Sequence, residues 1–244
     1  MTPSKKIALV TGATRGIGLE TVRQLAAAGV HTLLAGRSRE SAVKAALTLQ
    51  AEGLPVEAIA LDVTDAASIS AAATTVAKAH GHLDILVNNA GILADDPTRK
   101  VSEQTLDTWR RTFETNVFGV VAVTQAFLPL LHKSQAGRIV NVSSILGSVA
   151  LHGDPASPIY DFKLPAYNVS KSAVNAWTVQ LAYELRDSRI RVNAIHPGYV
   201  RTDMNAGEGA MDIPEGARTS VRLALVGEDG PQGGFFHFQD RLPW

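Results

Sequence analysis

Tyr167 and Lys171 stand four positions apart in Ala166–Arg186, a segment whose pattern predicts a helix, so a phenol and an ammonium share one face. A free phenol titrates at about 10 and is a poor acid or base near neutrality. A neighbouring cation favours phenolate and lowers that value toward the working range, which would make Tyr167 a general acid/base. Tyr160, the other tyrosine of SPIYDFKLPAYNVSKSAVNAW, has Leu164 at the equivalent spacing, so the chemistry is assigned to Tyr167. Ser144 follows the β-like run Arg138–Val142, where a serine can simply start a turn. Asn116, in TNVFG, falls inside a predicted helix, where asparagine is mildly unfavourable.

A second cluster of chemistry lies near the N-terminus. Val10 leads into TGATRGIG, Thr11–Gly18, and a helix starts within that pattern. Gly12 permits a tight turn, Gly16 lets backbone approach a pyrophosphate and Gly18 allows close helix packing, with Thr14, Arg15 and Ile17 between them. The unpaired N–H groups and positive dipole end of the following helix favour an anion there. At the end of the second β-like run, where a carboxylate normally accepts the ribose hydroxyls of NAD, the chain reads LLAGRSRE and offers Arg37 instead. Arg37, with Arg15 from the other side, suits a 2′-phosphate, so NADP(H) is favoured over NAD(H); the bland alternative is two solvated arginines.

The elements that must position these groups alternate regularly. β-like runs at Ile7–Val10, His31–Ala35, Val56–Ala60, Leu83–Val87, Arg138–Val142 and Ile190–Ile195 are separated by predicted helices at Gly16–Ala28, Arg39–Ala51, Ala66–His80, Ser102–Leu131 and Ala166–Arg186. The fourth helix is expected to break near Gly119 or Pro129. Continuous apolar strands alternating with helices imply an α/β fold, a doubly wound parallel sheet of Rossmann type in a single domain over residues 1–244. The least regular stretches, Leu93–Lys100, Leu151–Pro165 and Asp203–Gly216, fall where loops leave strand C-terminal ends, the ligand-binding edge of such sheets.

Composition narrows the function classes. The 23 basic and 23 acidic residues balance, and no basic run suits a nucleic acid. No stretch approaches roughly 18 uninterrupted apolar residues, and the N-terminus runs from two lysines into a short β-like segment, so no membrane and no processing are expected and the cytoplasm is the default. There are no cysteines, which removes disulfides and thiolate chemistry. The seven histidines are scattered over different elements without a zinc-type spacing, so no metal is assigned.

TGxxxGIG, NNAG at Asn88–Gly91, Ser144, Tyr-x-x-x-Lys and Pro197–Gly198 occur in an order that resembles the short-chain dehydrogenase/reductase family over nearly the whole chain. The resemblance implies a hydride-transferring oxidoreductase with a catalytic tetrad. Tyr167 would protonate a carbonyl oxygen, Ser144 would hydrogen-bond it, Lys171 would hold the nicotinamide ribose and depress the phenol, and Asn116 would anchor a water. It further implies that Asp62 and Val63 meet the adenine, that Asn89, Ala90 and Gly91 line the cofactor, and that Pro197, Gly198, Val200 and Thr202 fix the nicotinamide end. Asp62 could instead cap a helix, as could Asp65, and Pro197–Gly198 could be only a turn.

Ser144 and Tyr167 are 23 positions apart, where about a dozen is common in the family, so an insertion is expected at about residues 150–165. That insertion and the ending GGFFHFQDRLPW resemble carbonyl-reductase members; Phe235 and Phe236 are read as a last buried strand. The expected substrate is a small carbonyl or alcohol compound, with Leu146, Leu151, Tyr199 and Met204 as apolar walls under a lid at about 203–216. The competing reading is an NADP-binding regulatory or scaffold protein without turnover. Val174, Trp177, Leu181 and Leu185 lie at helical spacing and are read as a core face with room for a homo-oligomer contact.

Overall fold

In the computed structural model, described over residues 5–244, the chain forms one eight-stranded sheet covered by helices on both faces. Residues 1–4, part of the stretch read as an unprocessed start, lie outside the described residues. In chain order the elements are β1 (Ile7–Val10), α1 (Gly16–Ala27), β2 (His31–Gly36), α2 (Arg39–Ala51), β3 (Val56–Ala60), α3 (Ala66–His80) and β4 (Ile85–Asn88). Then follow α4 (Leu106–Phe113), a π-helical turn (Glu114–Phe118), α5 (Gly119–Leu131), β5 (Arg138–Val142), α6 (Val149–His152) and α7 (Pro165–Glu184). The chain closes with β6 (Arg191–Ile195), α8 (Ile213–Leu225), β7 (Phe235–His237) and β8 (Asp240–Arg241).

The strand order is β3-β2-β1-β4-β5-β6-β7-β8, parallel through β7, with β8 antiparallel at the edge. The chain builds outward from β1 to β3 and then returns to place β4 on the other side of β1. That reversal opens a crevice at the carboxyl ends of β1 and β4, where a doubly wound sheet binds its ligand.

Alternation of side chains divides each strand between two cores. Ile7 and Leu9 of β1 join Leu33, Leu86, Val76, Phe127 and Leu181 under α3, α5 and α7. Ala8 and Val10 join Val22, Leu25, Leu34, Leu49 and Leu223 under α1, α2 and α8. Both strand faces are thus removed from water, which is why these runs read as uninterrupted apolar sequence. A polar ladder crosses the first core: Asn88 Nδ2 donates to Thr124 Oγ1 (3.0 Å) and Asn141 Oδ1 (2.9 Å), and Asn141 Nδ2 donates to Thr178 Oγ1 (2.9 Å). It ties β4, α5, β5 and α7 together in a fixed register, since a buried amide off its partners carries a desolvation cost.

Several sequence expectations change in detail. Of the two expected breaks in the long fourth helix, Pro129 leaves the helix intact two residues from the end of α5, and the π-turn just before Gly119 is the one that alters it. Gly119 is required there because a Cβ would lie 2.9 Å from Val63 Cγ2. The run Leu106–Leu131 is long and apolar enough by composition to cross a membrane, but Val123, Phe127, Leu130 and Leu131 are packed into the core. The stretch Asp203–Gly216 is not wholly irregular: α8 begins at Ile213, where Asp212 accepts from Glu215 N (3.0 Å) and Glu215 accepts in return from Asp212 N. This capping box is a local signal that the glycine-rich surroundings obscured. Of the four residues read as a core and contact face, Val174 and Leu181 of α7 and Leu185 just after it are buried, and Trp177 is partly buried against the core.

Candidate active site

The glycine loop, the NNAG turn and β2 are fitted to one another closely. Gly12 has φ +61°, and a Cβ on it would fall 2.8 Å from Ala90 Cα; one on Gly18 would fall 2.4 Å from Asn89 Nδ2. Thr11 Oγ1 accepts from the N–H groups of Asn89 and Ala90, both at 3.0 Å, and Asn89 Nδ2 donates to Thr11 O (2.8 Å) and Gly12 O (3.1 Å). The amide of Asn89 therefore knits two loops together. On the other side Thr14 Cγ2 lies 2.5 Å from where a Gly36 Cβ would be, so the loop also abuts the end of β2.

Gly16 differs from its neighbours. Its φ is +57°, yet a Cβ would meet nothing within 4 Å, so it faces the open crevice. Helix α1 begins there with no side-chain cap and no acid in its first turn, leaving N–H groups and the positive dipole end for an anion. Exposed Arg37 emerges just beyond β2. Arg15 reaches across the crevice mouth to Asp203, Nη1 to Oδ2 at 3.0 Å, an exposed pair linking the glycine loop to the segment after β6. Asp62 accepts from Thr64 N (2.9 Å) and Thr64 Oγ1 (2.8 Å) through Oδ1, while the cap of α3 is Asp65, which settles the competition between them. These groups fit a dinucleotide, with close backbone at the glycine loop, N–H groups at the start of α1 and the exposed cations Arg15 and Arg37 at the mouth.

The reacting groups sit at the adjoining strand ends. Tyr167 and Lys171, one turn apart on α7, are 8% and 4% exposed, and Lys171 Nζ lies 5.6 Å from the centre of the Tyr167 ring. Lys171 Nζ donates to Val142 O at 2.8 Å, anchoring the ammonium to the end of β5. Ser144, two residues further on, hydrogen-bonds the Tyr167 side chain and accepts from Leu146 N at 3.2 Å. Tyr160 is 37% exposed and lies against Lys163, whose Nζ is 4.7 Å from its ring. The two tyrosines are thus separated as their helical neighbours implied.

Electrostatically the pair departs from the sequence expectation. Burial pushes the Tyr167 phenol up to about 12, with the Ser144 hydrogen bond pulling the other way, so desolvation outweighs any help from the lysine. Burial also lowers the Lys171 ammonium to about 8, because little water remains to solvate its charge. The phenol is therefore a proton holder at neutral pH, suited to donating rather than accepting.

Asn116, 0% exposed, is turned inward by the π-turn, a feature frequent at functional sites. Its Oδ1 accepts from Ile92 N (2.8 Å), and its Nδ2 donates to Ile92 O (2.9 Å) and Ser170 Oγ (3.0 Å). Both amide hydrogens are committed. Gly91 passes between: its Cβ would be 3.4 Å from both Asn116 Oδ1 and Lys171 Nζ. Pro197 and Gly198 follow β6; Gly198 has φ +97°, and a Cβ there would meet Met211 Sδ at 2.2 Å. Val200 is buried and bridges to Met211, while Thr202 N donates to Asn205 Oδ1 at 3.0 Å. The expected insertion contains α6, which is clamped at its start: Trp244 O accepts from Ser148 Oγ (3.1 Å) and Ala150 N (3.0 Å), and the Trp244 ring stacks on Phe235.

Asp95 went unnoticed in the sequence. Helix α7 starts at Leu164–Pro165 without a capping side chain. Buried Asp95 supplies the missing acceptors from the loop after β4: Oδ1 accepts from Ala166 N (2.8 Å) and Oδ2 from Tyr167 N (2.9 Å). The only local hint was the absence of Ser, Thr, Asp or Asn at the start of α7.

Residues 6–212 match the short chain dehydrogenase family. A short-chain dehydrogenase of Penicillium roqueforti, anuI, is 41% identical over 92% of this chain and 90% of its own length. A (+)-neomenthol dehydrogenase of Capsicum annuum is 32% identical over 97% and 96%. Among solved structures, an NADPH-bound carbonyl reductase from chicken fatty liver superposes with a TM-score of 0.84 at 28% identity, covering 98% of this chain and 99% of that one. The chain belongs to the short-chain dehydrogenase/reductase family, and is an oxidoreductase acting on CH–OH and C=O groups with a nicotinamide cofactor.

Replacing Asp95 should loosen the helix that carries Tyr167. Asp95→Ala is expected to lower unfolding free energy by about 1–2 kcal/mol in urea titrations and to reduce turnover, with Asp95→Asn intermediate because it keeps one acceptor. Wild-type stability and turnover in Asp95→Ala would show that the cap is dispensable.

Proposed function

We propose that the protein is an NADP(H)-dependent carbonyl reductase of the cytoplasm, working on an apolar ketone or aldehyde and reversible to the alcohol. The observation that carries this reading is the juxtaposition of Ser144, Tyr167 and Lys171 beside a crevice whose glycine loop is open to a dinucleotide. A nicotinamide cofactor held in the crevice would supply the hydride for the carbonyl carbon. Tyr167 gives the proton to the carbonyl oxygen, its high affinity for that proton ensuring that the acid form is present at neutral pH. Ser144 donates a hydrogen bond to the same oxygen, stabilising the charge that develops on it. Lys171 holds a ribose hydroxyl and, by its charge, eases formation of the phenolate left behind. Asn116, with both amide hydrogens already given to Ile92 and Ser170, acts as a brace between the NNAG loop and α7, and only an Oδ1 lone pair remains for a water.

Around the nucleotide, Gly12, Thr14, Gly16, Ile17 and Gly18 cradle the pyrophosphate, and Asp62 and Val63 border the adenine. Asn89, Ala90 and Gly91 line the middle of the crevice, and Pro197, Gly198, Val200 and Thr202 the nicotinamide end. Arg37 and Arg15 would hold the 2′-phosphate, Arg15 giving up its exposed pairing with Asp203 to do so. The absence of a carboxylate after β2 and the NADPH carried by the chicken reductase support this choice over NAD(H). Exposed Val149 at the start of α6 and exposed Phe162, Tyr199 and Met204, all on the segments that follow β5 and β6, support an apolar substrate, with the segment from Asp203 to the start of α8 as a lid. A homo-oligomer would use the exposed Val169, Val179 and Tyr183 of α7.

With NADPH and a panel of aryl and alicyclic ketones, Tyr167→Phe is expected to lower kcat by about 10²–10⁴-fold while Tyr160→Phe stays near wild type. Equal rates in wild type and Tyr167→Phe would sink the assignment of the acid. Arg37→Asp should raise KM for NADPH by roughly tenfold to a hundredfold and leave that for NADH little changed; equal effects would remove the 2′-phosphate contact. Reduction uses protonated Tyr167 and Lys171, and Lys171 is the first to lose its proton as pH rises. Thus kcat/KM should be level below pH of about 8 and fall above it. A profile that climbs through that pH contradicts these roles.

A further inference from the structure

Three residues far apart in sequence meet at the end of the sheet opposite the nucleotide crevice. His31 opens β2, Glu57 is the second residue of β3 and His80 closes α3. In the parallel register Leu33 pairs with Glu57, so Glu57 and Leu33 point to the same face, and His31, two residues before Leu33, does also. That face is the one covered by α3: Leu33, Ile59 and Leu61 pack there with Ile69, Ala72 and Val76. Gly81, with φ +75°, stops the helix immediately after His80 and leaves that imidazole beside the other two side chains.

The Nε2 atoms of both imidazoles approach the same carboxylate oxygen. His31 Nε2 is 3.2 Å and His80 Nε2 3.4 Å from Glu57 Oε2, and one ligand atom from each of the three residues lies within 4.8 Å of the others. Around a tetrahedral zinc, with bonds of about 2.0–2.1 Å, neighbouring ligand atoms are about 3.3–3.4 Å apart. The two distances to Glu57 therefore already match two edges of that tetrahedron. The imidazole rings are 5.3 Å apart and tilted by 48°. Among the described residues Glu57 forms ion pairs with these two histidines only. Two imidazoles and one carboxylate are a donor set for borderline divalent ions, not for magnesium or calcium, which prefer all-oxygen shells.

We propose that His31, Glu57 and His80 form a surface site for a divalent transition-metal ion, zinc above all, with the fourth position open to water on the exposed side of Glu57. The ion clips the starts of β2 and β3 to the end of α3. Since β2 carries the chain about 16 Å further before it reaches the crevice, the role is structural rather than catalytic. Spacing along the chain says nothing about residues that only a parallel register and a helix end bring together, so the cluster has no signature in the sequence.

The test uses the full-length protein, stripped with chelator and titrated with zinc chloride by calorimetry, alongside thermal denaturation. One equivalent of zinc is expected to bind and to raise the Tm in a concentration-dependent way, while magnesium chloride does neither. Cobalt chloride should give the intense visible bands of a four-coordinate ion. Glu57→Gln, which keeps shape and removes charge, and His80→Ala should each weaken zinc binding at least about tenfold, whereas exposed His132→Ala should not. Reduction of ketones with NADPH should proceed at wild-type rates in His80→Ala, which also reports that the variant is folded and separates this test from that of the enzymatic reading. Absence of saturable zinc binding, undiminished binding in both Glu57→Gln and His80→Ala, or an equal response to magnesium would overturn the proposal.

Discussion

An ammonium buried to within a few percent of full enclosure is the constraint around which this molecule is arranged. Lys171 has lost nearly all its water, and its lowered affinity for a proton records the cost. What keeps it in place is a hydrogen bond to the carbonyl of Val142, the last residue of β5. The same enclosure raises the Tyr167 phenol, so a protonated ammonium and a protonated hydroxyl lie side by side with little access to solvent. A cofactor hydroxyl arriving between them would find donors already aimed, and the protein would need little rearrangement to use them.

That arrangement depends on distant backbone. Tyr167 and Lys171 can only be as well placed as α7, and α7 is held at three points. Its N-terminus is capped by Asp95 from the loop after β4, its second turn is tied through Ser170 to Asn116 of the π-turn, and its middle joins β5 through Thr178 and Asn141. Each contact is polar, buried and directional, so each specifies a position where apolar packing alone would permit sliding. Gly147 shows how tight the result is: a Cβ there would lie 2.7 Å from the Lys171 carbonyl carbon.

The glycine loop follows the same logic on the other side of the crevice. Asn89 and Ala90 give four hydrogen bonds to Thr11 and Gly12, so the glycine loop after β1 and the NNAG turn after β4 are joined as one piece. The switch point between these two strands is thus where the topology reverses and where side-chain hydrogen bonds join the two loops. Family membership accounts for the motifs; the bonding shows what they hold together.

Much of this was legible in the residues. Strand runs such as Ile7–Val10, Val56–Ala60 and Arg138–Val142, and helices such as Arg39–Ala51 and Ala66–His80, were bounded correctly because apolar periodicity and local caps such as Ser38 and Asp65 are written within a few residues. The Tyr167–Lys171 spacing and the open glycine of Gly16 were readable for the same reason. Tertiary structure alone decided the rest. The Asp95 cap joins residues 71 and 72 positions apart, the π-turn aims Asn116 by changing the helical count, and burial reversed the expected direction of the Tyr167 proton affinity. His31, Glu57 and His80 meet only once strand register and a helix end are fixed. A one-dimensional pattern encodes contacts within about a helical turn; dielectric surroundings and long-range hydrogen bonds come into being only when the chain has closed on itself.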